Sequence, residues 1–172
     1  ARLRTERSMS APLPIPELAQ WAQMWEQTRQ LTYDLLHALP YPVMNFSPQP
    51  EFGTLIRQLR HAAEMQERYI AAIRTGRMEI PAKPRQRGLE QSKENLEAYM
   101  RHLDGDLLDA LRSLTPDQLE GRIEWGQTAL TLRQHLMRLL QHETLHHGMW
   151  VFYAKIADLP LPSSWQATWE RI

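Results

Sequence analysis

Apolar residues recur along this chain at spacings of three and four, the period of a helix with one buried face. Four stretches carry the pattern. The first holds Leu18, Trp21, Ala22, Trp25, Thr28, Leu31, Thr32, Leu35 and Leu36. Pro16 suits an early helical position, where a missing N–H costs nothing, and Pro40 and Pro42 stop the helix near Leu39. The second stretch opens on Thr54 as its cap. Leu55, Leu59, Ala62, Gln66, Tyr69 and Ile73 mark its inner face, and Gly76 is its stop. Ser92 caps the third, whose stripe is Leu96, Tyr99, Met100, Leu103, Leu107, Leu111 and Leu114, with Gly105 as a weak point. The fourth opens on the capping box Thr131-Leu-Arg-Gln134. It carries Leu132, Leu136, Leu139, Leu140, Trp150 and Ala154 to about Asp158, before Pro160 and Pro162.

The connections are uneven. Residues 40–53 read as a proline-rich loop. Arg77 to Gln91 is too long for a tight hairpin between helices. It is long enough to carry the chain the length of a bundle, so the second and third helices are expected to run parallel. Thr115-Pro116-Asp117 reads as a turn or a short helix start, and Ile123 to Thr128, around Gly121 and Gly126, as a small irregular or β-like excursion. Trp165 and Trp169 suggest one amphipathic turn that packs back on the helices. Together the elements predict an all-α four-helix bundle. It forms one domain over residues 15–172, after an extended lead-in at 1–14.

Composition narrows the chemistry. The 172 residues hold 20 Lys plus Arg and 20 Asp plus Glu, a formal net charge of zero. That removes the electrostatic case for nucleic acid or an acidic membrane surface. There is no cysteine, so disulfides and thiolate metal sites are excluded, and any metal must be held by His, Asp or Glu. A chain without disulfides is compatible with a reducing cytoplasm, its expected location. No apolar run approaches the roughly 18 residues that a membrane span needs. Ala1 to Ser10 is Arg-rich without an apolar signal core, and Met9 reads as a candidate start.

The chemistry concentrates in Gln141 to Trp150, which holds His142, His146 and His147, three of the seven histidines. His142 and His146 are four apart, on one helix face, where two imidazoles can grip one ion. Glu143 falls near the middle of the apolar face, and a buried carboxylate needs a partner. Three readings stand for it: acceptor behind a metal-ligating His, general base, or partner to an arginine of another helix. His61, near the middle of the second helix, is the best third ligand; its bland alternative is a boundary histidine bonded to a neighbour. His147 points about 100° away from His146. His135 reads as a core histidine and Tyr153 as packing. His142-Glu143-Thr144-Leu145-His146 also matches the zinc-peptidase motif H-E-x-x-H, but the later Gly and His of the metzincin pattern are missing. A di-iron bundle needs two Glu-x-x-His motifs, and only Glu143-Thr-Leu-His146 occurs.

These residues resemble the DinB/YfiT-like family of metal-dependent four-helix-bundle proteins. Three segments carry the resemblance: Leu55-Ile-Arg-Gln-Leu-Arg-His61-Ala-Ala-Glu, His142-Glu-Thr-Leu-His146-His147-Gly148 and Leu159-Pro-Leu-Pro-Ser-Ser-Trp165. The resemblance implies a bundle with a long crossover between the second and third helices, and a homodimer. It also implies a metal on His61, His142 and His146; an all-imidazole site suits a divalent ion, Zn or Ni alike. His147 and Met149 stand where the family more often has Arg and Gln. The activities implied are those of thiol-dependent S-transferases and isomerases that use low-molecular-weight thiols.

The main functional reading is therefore a metal-dependent transferase or hydrolase acting on a small molecule, with Glu143 as a candidate catalytic residue. A non-catalytic, stress-associated metal-binding bundle is the alternative, and an H-E-x-x-H zinc peptidase a more distant one. The blandest is a helical domain whose histidines are core or surface residues.

Overall fold

The protein's structure, a computed structural model, describes residues 12–80 and 88–169. The Arg-rich start of the chain, the basic link residues Lys83, Arg85 and Arg87, and Glu170 lie outside these residues. Four long helices dominate: α1 (Pro16–Ala38), α3 (Leu55–Thr75), α4 (Lys93–Arg112) and α5 (Leu132–Ile156). Their ends follow the local chemistry. Thr54 Oγ1 accepts from the Arg57 N–H, Ser92 Oγ from Asn95, and Thr131 Oγ1 from Gln134, whose side chain in turn accepts from the Thr131 N–H. Each satisfies a helix-start donor that would otherwise be orphaned. Gly76 ends α3 at φ 74°, a left-handed conformation that favours glycine.

The segment expected as loop between α1 and α3 holds more structure than that. It contains the short helix α2 (Tyr41–Met44) and a 3-10 turn at Pro50–Phe52. Both carry a proline in their first turn, where its fixed φ suits a helical start. Pro42, read from sequence only as a stop, thus helps begin the next turn. The β-like excursion is a hairpin of β1 (Arg122–Trp125) and β2 (Thr128–Thr131), with Trp125 opposite Thr128. Gly126 opens its two-residue loop at φ 61°. The hairpin is stitched to the end of α3: the Met78 N–H donates to Glu124 O, and the Glu124 N–H to Gly76 O, each at 2.8 Å. The last helix, α6 (Ser163–Trp169), returns Trp165 to the core, where its Nε1–H donates to Leu31 O at 2.6 Å.

Side-chain pairs fix the helix directions. Glu17 meets Arg133 and Thr32 meets Glu143, so α1 and α5 run the same way. Arg60 meets Glu90 and Arg74 meets Asp106, so the chain enters and follows α4 parallel to α3. Tyr33 reaches Asp104 while Lys93 reaches Leu39 O, so α1 opposes α4. Tyr69 O accepts from His135 while Phe52 O accepts from Tyr153, so α3 opposes α5. The result is an up-down-down-up bundle. Helices α1 and α3 face each other across one diagonal, and α4 and α5 across the other. Leu35, Leu36, Leu59, Met100, Leu107, Leu111 and Trp150 fill the interior with no exposed surface. Burial of each such side chain contributes about 1.5–3 kcal/mol.

Candidate metal centre

Helices α3 and α5 run side by side, and their facing histidines meet midway. His61 projects from α3; His142 and His146 project from α5, one turn apart. Their ring centroids are 4.6 Å apart for His142–His146, 5.2 Å for His61–His146 and 5.4 Å for His61–His142. One nitrogen from each ring lies within 4.8 Å of the others. His61 is exposed, His142 half-buried and His146 buried, so the group sits at the bundle's edge.

The donor set suits a divalent ion. Burial, then the charges of neighbouring imidazoles, pull His142 and His146 down to about 4. His61 is lowered too, by burial and then by Arg60 and Arg68. All three are neutral at pH 7, the form whose lone pair binds a metal. The Nδ1 atoms of His142 and His146 are buried without a hydrogen-bond partner among the described residues. Nitrogens about 2.0–2.1 Å from one ion stand closer together than the 4.8 Å span of these three. An open cavity of about 340 Å³ lies against His61 and His146, walled by Gly53, Arg57, Gln58 and Arg60. A wider cavity of about 430 Å³ opens at the other end of α3, lined by Glu67, Arg68, Arg77 and Glu124, away from the histidines.

Glu143 is carried to the other side of α5. It is 1 % exposed and faces the bundle interior. Thr32 Oγ–H donates to its Oε1 at 2.5 Å, and Arg29 on α1 stands 3.1 Å away as an ion pair. Of the three readings open for Glu143, the geometry provides the arginine of another helix. Burial pushes its carboxyl up, but Arg29, His147 and the Thr32 hydrogen bond outweigh this and hold it below the usual range. His147 joins the same network: its Nε2–H donates to Thr32 Oγ1 at 2.9 Å, while its ring packs on Trp165 at 4.8 Å. Arg29 continues the network across the diagonal, donating to Gln66 Oε1 at 2.5 Å and standing 3.5 Å from Asp104. Asp104 also accepts from Gln66, Trp25 and Tyr33. All four long helices thus meet in one polar cluster behind the histidines.

His135 is a core histidine, as its position suggests. Its Nδ1 accepts from Trp125 Nε1–H at 3.1 Å and its Nε2–H donates to Tyr69 O at 3.0 Å, so both nitrogens are satisfied. Tyr153 does more than pack: its hydroxyl reaches the carbonyls of Phe52 and Gly53, each at 3.0 Å, and fixes the turn beside the cavity. Sequence reasoning missed Arg29, Asp104 and Arg57. Arg29 lies on the stripe of Trp25 and Thr32, a buried cation that the buried Glu143 calls for. Arg57 stands one turn before His61 on the same face.

A sequence model of the DinB superfamily matches residues 24–150, a span that contains all three histidines, the whole of α3 and most of α5. The chain belongs to the DinB superfamily. The fold of this DinB chain is similar to that of a DinB-like protein from Bacillus cereus, with a TM-score of 0.69 and 17% identity over 83% of this chain and 94% of that one. It is likewise similar to a DinB-like protein from Bacillus subtilis, with a TM-score of 0.65 and 18% identity over 84% and 96% of the two chains. No curated protein matches the sequence. No helix of the described DinB bundle is long and apolar enough to cross a membrane.

Proposed function

We propose that this protein is a metal-dependent enzyme of the transferase or hydrolase kind, acting on a small molecule at His61, His142 and His146. The observation that carries the reading is the juxtaposition of three neutral imidazoles, from two helices, with an open cavity. A structural ion is usually closed off by four protein ligands, whereas a catalytic one keeps a position free. Here three ligands meet at an edge, and His61 is open to solvent. When bound, Zn²⁺ or Ni²⁺ supplies a Lewis acid that turns a weak acid such as water or a low-molecular-weight thiol into a nucleophile near neutral pH.

The chain's own residues divide the remaining work. His61, His142 and His146 hold the ion and stay unprotonated at neutral pH. Gln58 donates to Phe52 O at 2.5 Å, and with Tyr153 it keeps the 50–53 turn against the cavity. Glu143 acts as a positioning residue. Its ties to Thr32 and Arg29 set the rotation of α5 and so aim His142 and His146 at α3. That role speaks against the zinc-peptidase reading, in which the motif's Glu handles a proton in the open site.

The test is metal content by mass spectrometry on untagged protein, with His61→Ala and His142→Ala beside the wild type. We expect about one ion per chain, lost in both variants, and a free-thiol-transfer or hydrolysis activity in a substrate screen that disappears with the ion. A wild type that takes up no divalent metal after reconstitution would sink the proposal. One ion per chain without turnover across the screen would favour the non-catalytic metal-binding bundle.

A further inference from the structure

A second groove adjoins the cavity beside the histidines. Phe52 forms part of the cavity's wall and also part of this groove of about 340 Å³, which runs over the outer face of α5. That groove is lined by Pro48, Phe52, Leu145, Gly148, Met149 and Phe152, almost wholly apolar. Leu145, Gly148, Met149 and Phe152 recur at helical spacing on a face that the bundle does not cover. Leu145 is 65% exposed and Phe152 57%. The α5 helix therefore has two apolar faces, one in the core and one against this groove.

Two glycines shape the site, and neither is required by tight packing of the bundle core. Gly148 lies in the interior of α5, where glycine costs about 1 kcal/mol relative to alanine. A Cβ built there meets nothing within 4 Å. The missing side chain lowers the groove floor between Leu145 and Phe152. Gly53 takes φ 72°, and a Cβ there would stand 3.1 Å from Arg57 Cδ. Its absence lets the Arg57 stem lie across the turn at the cavity wall. Among the described residues, the Arg57 guanidinium has no ion-pair partner. Arg60 is already matched by Glu64 and Glu90. Glu51, the one acidic side chain of the lining, opposes an anion, so recognition of one depends on Arg57.

We infer that the substrate is amphipathic: an apolar aryl or alkyl body lies in the groove over Gly148, and an anionic group such as a carboxylate sits on Arg57, beside the three histidines. The groove is of the size that small-ligand clefts have. The inference rests on reading the histidine cavity as a substrate site, but it concerns residues that hold no metal.

The experiment compares 4-phenylbutanoate, its neutral amide and butanoate, each titrated into metal-free and zinc-reconstituted protein by calorimetry. In wild type the phenyl acid should bind at least about tenfold more tightly than either of the others. Arg57→Gln should erase its advantage over the amide, and Gly148→Leu its advantage over butanoate. Glu51→Gln should strengthen both acids. Circular dichroism confirms the fold of each variant, and metal content should be unchanged in all three. Equal binding of acid and amide to wild type, or an unaltered Gly148→Leu, overturns the inference. So does light scattering that shows a dimer lost in Gly148→Leu, because a second copy would then be the occupant. Metal-loaded protein without the preference sinks the substrate class alone, whereas the preference in protein that takes up no metal sinks the metal reading alone.

Discussion

Glu143→Ala removes the carboxylate from the polar cluster at the bundle's centre and leaves Arg29 behind. Arg29 and Glu143 are each only 1% exposed, so water cannot replace the lost partner. Breaking a buried ion pair by deleting one member costs about 3–5 kcal/mol, because a charge stays buried without its match. Here Arg29 keeps Gln66 at 2.5 Å and Asp104 at 3.5 Å, which places the cost near the lower end. Thr32 and His147 lose the acceptor at the end of their chain as well. We expect a loss of about 3 kcal/mol, a large share of the roughly 5–15 kcal/mol that folds a typical domain. At about 2–4 °C per kcal/mol for a chain of this size, the melting temperature should fall by about 6–12 °C. Urea denaturation monitored by circular dichroism measures it. Replacing both partners, as Arg29→Met with Glu143→Leu, should recover most of the loss, since an apolar pair of similar volume is often neutral there. Metal uptake by folded Glu143→Ala should persist but weaken, because all three imidazoles remain while the ties that aim His142 and His146 are gone. A single variant within about 1 kcal/mol of wild type would refute the reasoning, and so would a double variant no better than the single.

Three further outcomes are expected. His142, His146 and His147 are held down to about 4, below their unfolded value, mainly by burial. Below pH 6.5 the unfolded chain therefore binds protons that the folded chain does not. Metal-free protein should lose stability as pH falls from about 6.5 towards 4, by about 1.4 kcal/mol per pH unit for each such proton; a flat urea midpoint between pH 7 and 5 would contradict this. Trp125→Phe deletes the donor to the fully buried His135 Nδ1 and should cost about 1–3 kcal/mol in the same assay; an unchanged midpoint would show the bond to be idle. Tyr153→Phe releases the carbonyls of Phe52 and Gly53, so hydrogen exchange at residues 52 and 53 should quicken while the centre of α3 stays protected; equal protection would show that the turn is held otherwise.

Much of this was legible because it is local. Thr54, Ser92 and the Thr131–Gln134 box announce helix starts through hydrogen bonds that span three residues. Gly76 announces a stop through the conformation that glycine tolerates. His142 and His146 are brought together by the pitch of one helix, so any helical reading pairs them. His61 required a second helix at a matching level, which mid-helix position suggested. The rest depends on which helices touch. Arg29 meets Glu143 and Gln66 only once α1, α3 and α5 share a centre, and no spacing along the chain encodes that. Arg57 turns towards the cavity because Gly53, in a neighbouring turn, has no side chain in its way. The prolines of residues 40–53 signal a break so strongly that they mask the one-turn helix begun by Pro42.

The order of the helices also bears on how the chain reaches this state. Neither diagonal pair can zip as a helical hairpin, and the remaining consecutive pair, α3 and α4, is parallel. The antiparallel contacts join distant segments instead: Trp25 with Asp104 is 79 residues apart, and Tyr69 with His135 is 66. Closing such loops costs entropy before any contact repays it. Contact order is therefore higher than in an up-and-down bundle of equal length, and folding should be slower. The histidines of α3 and α5 come together only when that long-range closure is complete.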